Sequence, residues 1–300
     1  MSVGTTTEPR VVSGEGGPGL LLRAALPAIP GVNLLPGVRK PGGDFSGLTV
    51  TRPPVRVERE HVEAYAGVCG FPVKDTVPLP YPHLLAFPLH MALMSDRAFP
   101  VPAMGMVHVE NSITSHRPVA VGETLAVTAS VGPGLPHPVG TAYEFSTVVR
   151  SGEDAGSGEV VWESVSTYLR RGRRNPDVVR ASELADVPPS GPVFALAADL
   201  GRRYAAVSGD YNPIHLTPLT ARALGFRRHI AHGMWTKARC LAAMENRLPE
   251  RVRVDVAFKK PVFLPGAVAF GSRRAEDGLA FSLHGRGSQT LHLLGRTTAL

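Results

Sequence analysis

The sequence predicts an α+β fold built from two similar halves, and three observations carry that expectation. Eight segments have strand length and strand-like apolar patterning, four in each half: Met104 to Ser115, Thr124 to Val131, Thr141 to Val149 and Glu159 to Leu169, then Val252 to Phe258, Ala267 to Arg273, Leu279 to His284 and Thr290 to Arg296. In each half these strands follow a helix-bearing segment instead of alternating with helices, which predicts an antiparallel sheet with a helix against one face. The halves also match each other. Tyr65-Ala66-Gly67-Val68-Cys69-Gly70 pairs with Tyr204-Ala205-Ala206-Val207-Ser208-Gly209 at an offset of 139, His90 with His232 at 142, and Arg117-Pro118-Val119 with Lys260-Pro261-Val262 at 143. Preserved order with a slowly drifting offset is what two diverged copies of one unit leave behind.

Taken along the chain, residues 1–45 read as a partly disordered tail. Gly14-Glu15-Gly16-Gly17-Pro18-Gly19 in that tail fits a dinucleotide-binding pattern only formally, because no strand of adequate length precedes it and Pro18 interrupts it. Residues 46–172 form the first copy, 173–188 a polar linker, and 189–300 the second copy. The basic run Arg170-Arg171-Gly172-Arg173-Arg174 is expected to be solvated and to lead into that linker. In the second copy His232 to Arg247, rich in Ala, Leu and Met, suits a buried central helix.

Composition narrows the function classes. The 300 residues are 43% hydrophobic, enough for two cores, and no apolar run reaches bilayer length: Leu20-Leu21-Leu22 is followed at once by Arg23. No secretory signal is recognised and only Cys69 and Cys240 occur, which points to a reducing, cytoplasmic setting without a disulfide framework. The net charge of +7 comes with only 6% aromatics, so a stacking nucleic-acid surface is not expected, while an anionic small ligand or an acidic carrier protein suits the charge. His229 and His232 have a metal-like spacing, but no acidic or cysteine cluster accompanies them in sequence and no metal is implied.

Tyr204 to His215 reads YAAVSGDYNPIH. Gly209 and Asn212-Pro213 enforce a tight loop around Asp210, so that a carboxylate and the His215 imidazole, five positions apart, are held in set directions. Such a pair can take and return a proton. The plainer alternative is an Asx-type turn in which Asp210 and Asn212 bond only their own backbone.

The whole string, with Leu224-Gly225-Phe226, Ile230-Ala231-His232-Gly233-Met234 and Phe258-Lys259-Lys260-Pro261-Val262-Phe263-Leu264-Pro265-Gly266, resembles the MaoC-like hydratases, also called hydratase 2. Tyr81-Pro82-His83 and Phe87-Pro88-Leu89-His90-Met91 are similar to the two-domain actinobacterial subgroup. The resemblance implies a double hot-dog fold, two antiparallel sheets each wrapping a central helix. It implies an (R)-specific enoyl-thioester hydratase or 3-hydroxyacyl-thioester dehydratase of fatty acid metabolism, with no cofactor beyond the coenzyme A or carrier pantetheine of its own substrate. Asp210 and His215 are then the acid-base pair, Asn212 orients the water or the pair, and the Gly233 N–H at a helix start receives the thioester oxyanion. Ser208, His232, Lys259 and Lys260 are candidate substrate contacts, although His232 reads better as a satisfied helix-start histidine and the lysines as a solvated strand end.

The first copy has Phe71 where Asp210 stands, no histidine in place of His215, and Met91 where Gly233 stands, so it is expected to be catalytically dead. It completes a pseudo-dimer, and Pro78 to Leu85 are the expected walls of a channel for longer acyl tails. Either a pseudo-dimeric monomer or a homodimer is expected, with an acyl carrier protein as a possible partner. A non-catalytic acyl-thioester-binding subunit is the alternative function.

Overall fold

The structure is a computed structural model and describes residues 9–13, 19, 40, 42–179, 184–288 and 290–300. In the first half β1 (Arg10–Val11), β2 (Thr49–Thr51) and β3 (Val55–Arg56) precede helices α1 (Arg59–Cys69) and α2 (Pro82–Ser95). The long strands β4 (Met106–Ser115), β5 (Thr124–His137), β6 (Gly140–Ser151) and β7 (Val160–Arg171) follow. The second half repeats the plan: β8 (Val193–Leu196), α3 (Leu200–Ser208), the short α4 (Pro213–Leu216) and α5 (Pro218–Ala223), then α6 (Gly233–Ala242). After them come β9 (Val252–Phe258), β10 (Gly266–Ala275), β11 (Gly278–Gly285) and β12 (Leu291–Ala299).

All eight expected strands form: β9 keeps its expected bounds, β4 starts two residues later at Met106, and the other six run past the apolar pattern at one or both ends, where antiparallel pairing carries the ladder on. The expected pair of sheets is joined into one of twelve strands, in the order β1-β2-β5-β6-β7-β4-β9-β12-β11-β10-β8, with β3 off the path beside β5. The join is antiparallel pairing of β4 with β9, for example Ile113 opposite Val254. Two facing edges, each a row of unpaired N–H and C=O groups, satisfy one another there.

A buried lysine crosses this seam. Lys237 of α6 is fully buried, and its ammonium donates to Asn111 O at 3.2 Å and Asn111 Oδ1 at 2.6 Å on β4 and to Val254 O at 3.1 Å on β9. Burial pushes its pKa well below the ordinary lysine value. The three acceptors compensate that desolvation and tie the central helix of one half to both sheets.

The central helices differ. Helix α2 is apolar round its surface except at His83, His90 and Ser95, and nearly every residue of it is buried, as a helix enclosed by a sheet requires. It starts at Pro82, so Met91 lies in mid-helix and not at a helix start opposite Gly233, as the pairing of the copies suggested. Helix α6 is shorter than the predicted His232 to Arg247, ending at Ala242 with a separate 3₁₀ turn at Glu245–Arg247.

Parts of the expected tail and linker are docked. Val12 N–H donates to Thr51 O at 2.8 Å, extending the parallel β1–β2 pair, and Lys40 Nζ donates to Met94 O, to Asp96 O at 2.9 Å and to Phe99 O at 3.4 Å. Residues 14–18, most of the glycine-rich run, lie outside the described residues, as do 180–183 of the linker. Arg171, Gly172, Arg173 and Arg174 are exposed as expected, but the run starts inside β7, which holds Arg170 and Arg171, and Arg170 Nη1 donates to Met104 O at 3.0 Å. Asp186 pairs with His284 at 2.9 Å, and Val187 N–H donates to Ser282 Oγ at 2.9 Å, so the linker's end packs on β11.

Candidate active site

The loop begins where α3 ends. Gly209 adopts φ 74°, a left-handed cap whose N–H donates to Ala205 O at 2.9 Å, and Gly70 ends α1 in the same way with φ 82°. Beyond Gly209 the backbone is stapled by side chains. Asp210 N–H donates to Ser208 Oγ at 3.2 Å, Asn212 N–H to Asp210 Oδ1 at 3.1 Å, and Ile214 N–H to Asn212 Oδ1 at 3.3 Å. Asn212 is thus the N-cap of α4, with Pro213 at its first position. The Asx turns are real, and they leave Asp210 Oδ2 for chemistry; Asn212 keeps only its amide nitrogen for the orienting role.

His215 projects from α4 into the core, and its Nδ1–H donates to Ile230 O at 2.8 Å, so Nε2 carries the free lone pair. Ile230 is itself pinned, its N–H on Ile214 O at 3.1 Å and the next N–H, of Ala231, on Val262 O at 2.8 Å. His232 lies face to face with His215, ring centroids 3.7 Å apart, and its Nε2–H donates to Asp210 O at 2.9 Å. Polar atoms of Asp210, His215 and His232 fall within 4.8 Å of one another. That set has a metal-like make-up, yet His215 Nδ1 and His232 Nε2 are hydrogen-bond donors; among the described residues Asp210 Oδ2 and His215 Nε2 carry no hydrogen bond, with Asp210 Oδ2 3.9 Å from His232 Nε2.

Burial sets the charges. It raises the Asp210 carboxyl above the ordinary aspartate value, against the opposing pull of His215 and of the Asn212 N–H. It drives His215 down to about 3, helped by His232 and resisted by Asp210, and His232 down to about 4. His215 is therefore a neutral imidazole at neutral pH. The Asp210 side chain keeps 24% of its surface accessible, whereas His215 and His232 are buried.

Gly233 opens α6, where the first N–H groups have no carbonyl four residues back to bond. A Cβ at this position would stand 3.3 Å from the Phe258 ring, so glycine leaves the approach to that N–H unobstructed. A groove of about 350 Å³ reaches Ser208 and Gly209 from the first half, walled by Tyr81, Leu84, Leu85 and Pro88 with Arg52 and Arg56. Of the expected channel walls, Tyr81, Leu84 and Leu85 line this groove, while Pro80 is buried and does not. Lys259 and Lys260 stay exposed outside the Asp210–His215–His232 cluster; the Lys260 carbonyl accepts from His292 Nδ1 at 2.9 Å.

Sequence reasoning missed three contributors. Gly201 of α3 has its Cα hydrogen so close to the helix bearing His215 that a Cβ would lie 1.9 Å from His215 O. The Ile230 carbonyl fixes the His215 tautomer, and Tyr168 of β7 stands near enough to Asp210 for the carboxylate to add to the burial that raises its phenol. A lone glycine, a backbone carbonyl and a distant tyrosine leave no local motif. In the first half the turn after Gly70 carries buried Phe71, stacked on Tyr65 at 6.4 Å, and no acid-base pair.

Residues 187–279 match the MaoC like domain family. The chain is 36% identical over 289 residues to 3-hydroxyacyl-thioester dehydratase X of Mycobacterium tuberculosis, spanning 93% of this chain and 97% of that protein. The crystal structure of that bacterium's HtdX superposes with a TM-score of 0.73 at 36% identity, over 84% of this chain and all (100%) of the other. A stretch of 65 residues, 20% of this chain and 48% of the relative, is 35% identical to the (R)-specific enoyl-CoA hydratase of Aeromonas caviae. The MaoC-like dehydratase of Phytophthora capsici shares the fold, with a TM-score of 0.69 at 19% identity over 85% of this chain and 96% of that one. With the hot-dog architecture in both halves and the Asp210–His215 loop in the second, the chain belongs to the MaoC-like family.

Proposed function

We propose that this protein is a hydro-lyase that interconverts trans-2-enoyl thioesters and (3R)-3-hydroxyacyl thioesters, carried on coenzyme A or on an acyl carrier protein, in fatty acid metabolism. The observation that carries the reading is the pair Asp210 Oδ2 and His215 Nε2, free of hydrogen bonds among the described residues and clustered on one stapled loop with His232, the residue that leads into Gly233 at the start of α6. In hydration, the water oxygen bonds to C3 as the carboxylate–imidazole pair removes one of its protons. The π electrons move onto C2 and the thioester oxygen, where the Gly233 N–H and the start of the α6 dipole stabilise the charge. The pair then returns a proton to C2, leaving one hydroxyl and one hydrogen added and the site unchanged. Dehydration is the reverse. No step calls for a metal or a nucleotide.

The first half is proposed to act as the inert member of a pseudo-dimer and to supply the groove that receives the acyl tail. The substrate's phosphates or an acidic carrier would meet the exposed Lys259 and Lys260, and the two free, buried cysteines, Cys69 and Cys240, suit a cytoplasmic setting. Among the described residues no helix is long and apolar enough to cross a membrane.

The purified chain should hydrate crotonyl thioester after exhaustive chelation, and chiral analysis should return the 3R alcohol. No turnover on either carrier would instead favour an acyl-thioester-binding subunit, and a 3S product or a metal-restored activity would refute the mechanism.

A further inference from the structure

The interior of the catalytically silent half is more polar than its packing needs. His83 and His90, both buried, stand seven residues apart on one face of α2. They face His108 of β4 and Tyr168 of β7: His83 lies 5.7 Å from His90 and 6.0 Å from His108, and Tyr168 lies 4.5 Å from His108 and 6.2 Å from His90, ring centre to ring centre. His90 Nε2 is engaged with Thr147 Oγ1 at 2.9 Å. Among the described residues, three further ring nitrogens of the cluster, His83 Nδ1, His90 Nδ1 and His108 Nε2, are buried without a hydrogen-bond partner. One such atom in a core costs stability, and three within a single cluster of touching rings are not explained by packing.

His108 is turned inward by irregular backbone, since β4 slips register against β7 between His108 and Glu110, as a bulge does when it re-aims a side chain. A backbone hydrogen bond to Glu110 engages the other ring nitrogen of His108, so Nε2 is the lone-pair atom and calls for a donor. The cluster is continuous with the reaction centre. The Phe258 ring is 5.1 Å from that of His108 at one end, and at the other lies 3.3 Å from where a Cβ on Gly233 would stand. Gly233, Phe258 and His108 all keep part of their surface accessible, whereas His83 and His90 behind them are closed off. A chain anchored by its thioester at Gly233 that runs past Phe258, instead of along the groove walled by Leu84 and Leu85, would end among these imidazoles.

We infer that His83, His90 and His108 form a specificity subsite for a hydroxyl group on the acyl chain, remote from the C2–C3 bond. A hydroxyl donates to His108 Nε2 and accepts from an imidazole N–H, which a methylene cannot do and a ketone does only in half. An unsubstituted chain of the same length would leave the three nitrogens unpaired, the situation in which polar sites discriminate most strongly. The inference rests on the proposed hydratase reaction for its anchor.

The test compares kcat/KM for trans-2-dodecenoyl thioester with its analogues carrying a single hydroxyl or keto group, walked from C6 to C10, with crotonyl thioester as reference. One hydroxyl position should exceed the plain chain at least about tenfold, with the keto analogue between them. In His108→Phe and His83→Phe, which keep the ring stack, the hydroxyl-to-plain ratio should collapse toward one; a general loss of rate cancels in that ratio. A wild-type ratio at or below one at every position overturns the inference even if both variants fail to fold, as does a preference that both variants retain. If crotonyl thioester itself is not turned over, the hydratase reading fails first, which separates the two failures.

Discussion

Gly70 and Gly209 end equivalent helices in the same left-handed cap, and the residue after each decides what its half becomes. After Gly70 comes Phe71, buried against Tyr65, and the turn closes into core. After Gly209 comes Asp210, whose carboxylate stays partly accessible, held in place because the side-chain oxygens of Ser208, Asp210 and Asn212 accept the N–H groups of Asp210, Asn212 and Ile214 in turn. The same backbone can thus be packing or chemistry, depending on whether one side chain is apolar and swallowed or charged and stapled in place.

The comparison is broken most severely at the pair itself. Asp210→Asn and His215→Ala should each lower kcat by about a hundredfold to ten-thousandfold, with the double variant little worse than either because the two act as a unit. Circular dichroism should show an unchanged fold, and near wild-type turnover by either variant would reject the assignment. The Gly233 N–H is the next largest effect. Gly233→Pro deletes that donor at a helix position where proline is at home, after His232 at φ −65° and ψ 139°, a conformation proline favours in its predecessor. It should cost about a hundredfold in kcat, while Gly233→Ala, which presses the same Cβ on Phe258 but keeps the N–H, should cost much less. Equal losses would assign the effect to crowding.

The tie between the halves is tested at Lys237. Lys237→Ala leaves Asn111 O, Asn111 Oδ1 and Val254 O without their donor and should lower unfolding free energy by about 3 kcal/mol, read from urea titrations. A change below about 0.5 kcal/mol would mean the seam holds by backbone pairing alone. Filling the groove with Leu85→Trp should reduce kcat/KM for a twelve-carbon enoyl thioester more than for crotonyl thioester, since a tail gains about 0.8 kcal/mol per buried methylene only where a channel receives it. Equal losses would make the first half a structural partner only.

Buried histidines in both halves also make the fold sensitive to acid. Burial lowers His83 well below the ordinary histidine value, His90 and His215 to about 3 and His232 to about 4. Between those values and about 6.5 the unfolded chain binds protons that the folded chain does not, so this contribution is whole above pH 6.5 and drains away as pH falls toward 3. Each such histidine adds up to ~1.4 kcal/mol per pH unit in that window, and the raised Asp210 works weakly the other way. Urea midpoints measured from pH 7.5 to 4.5 should fall steeply; a flat profile would mean these rings are hydrated in the folded state.

The strands were legible because each alternates toward its helix, as in Val252 to Phe258, and the loop was legible because Gly209, Asp210, Asn212 and Pro213 are local turn chemistry whose physics needs no distant partner. Met91 was misplaced because offsets between copies carry residue correspondence but not helix starts, and Pro82 starts α2 two turns early. Pro80 was a poor choice of channel wall because it lies in the turn before α2 and is buried there, a matter of tertiary packing.

By itself the sequence determined the two-copy plan, the eight strands and the tight loop after Gly209 that holds Asp210 and His215 where the first half has Phe71, all of which rest on periodicity, on matching copies or on neighbours along the chain. Only the tertiary structure decided that the two sheets are one through β4 and β9, that Ile230 O sets the tautomer of His215, that Gly201 and Lys237 hold the parts in place, and that three histidines converge beyond Phe258. Those facts depend on contacts between residues tens to more than a hundred positions apart, where a carbonyl, a missing methyl or a lone pair acts by position in space and leaves no mark in the local pattern.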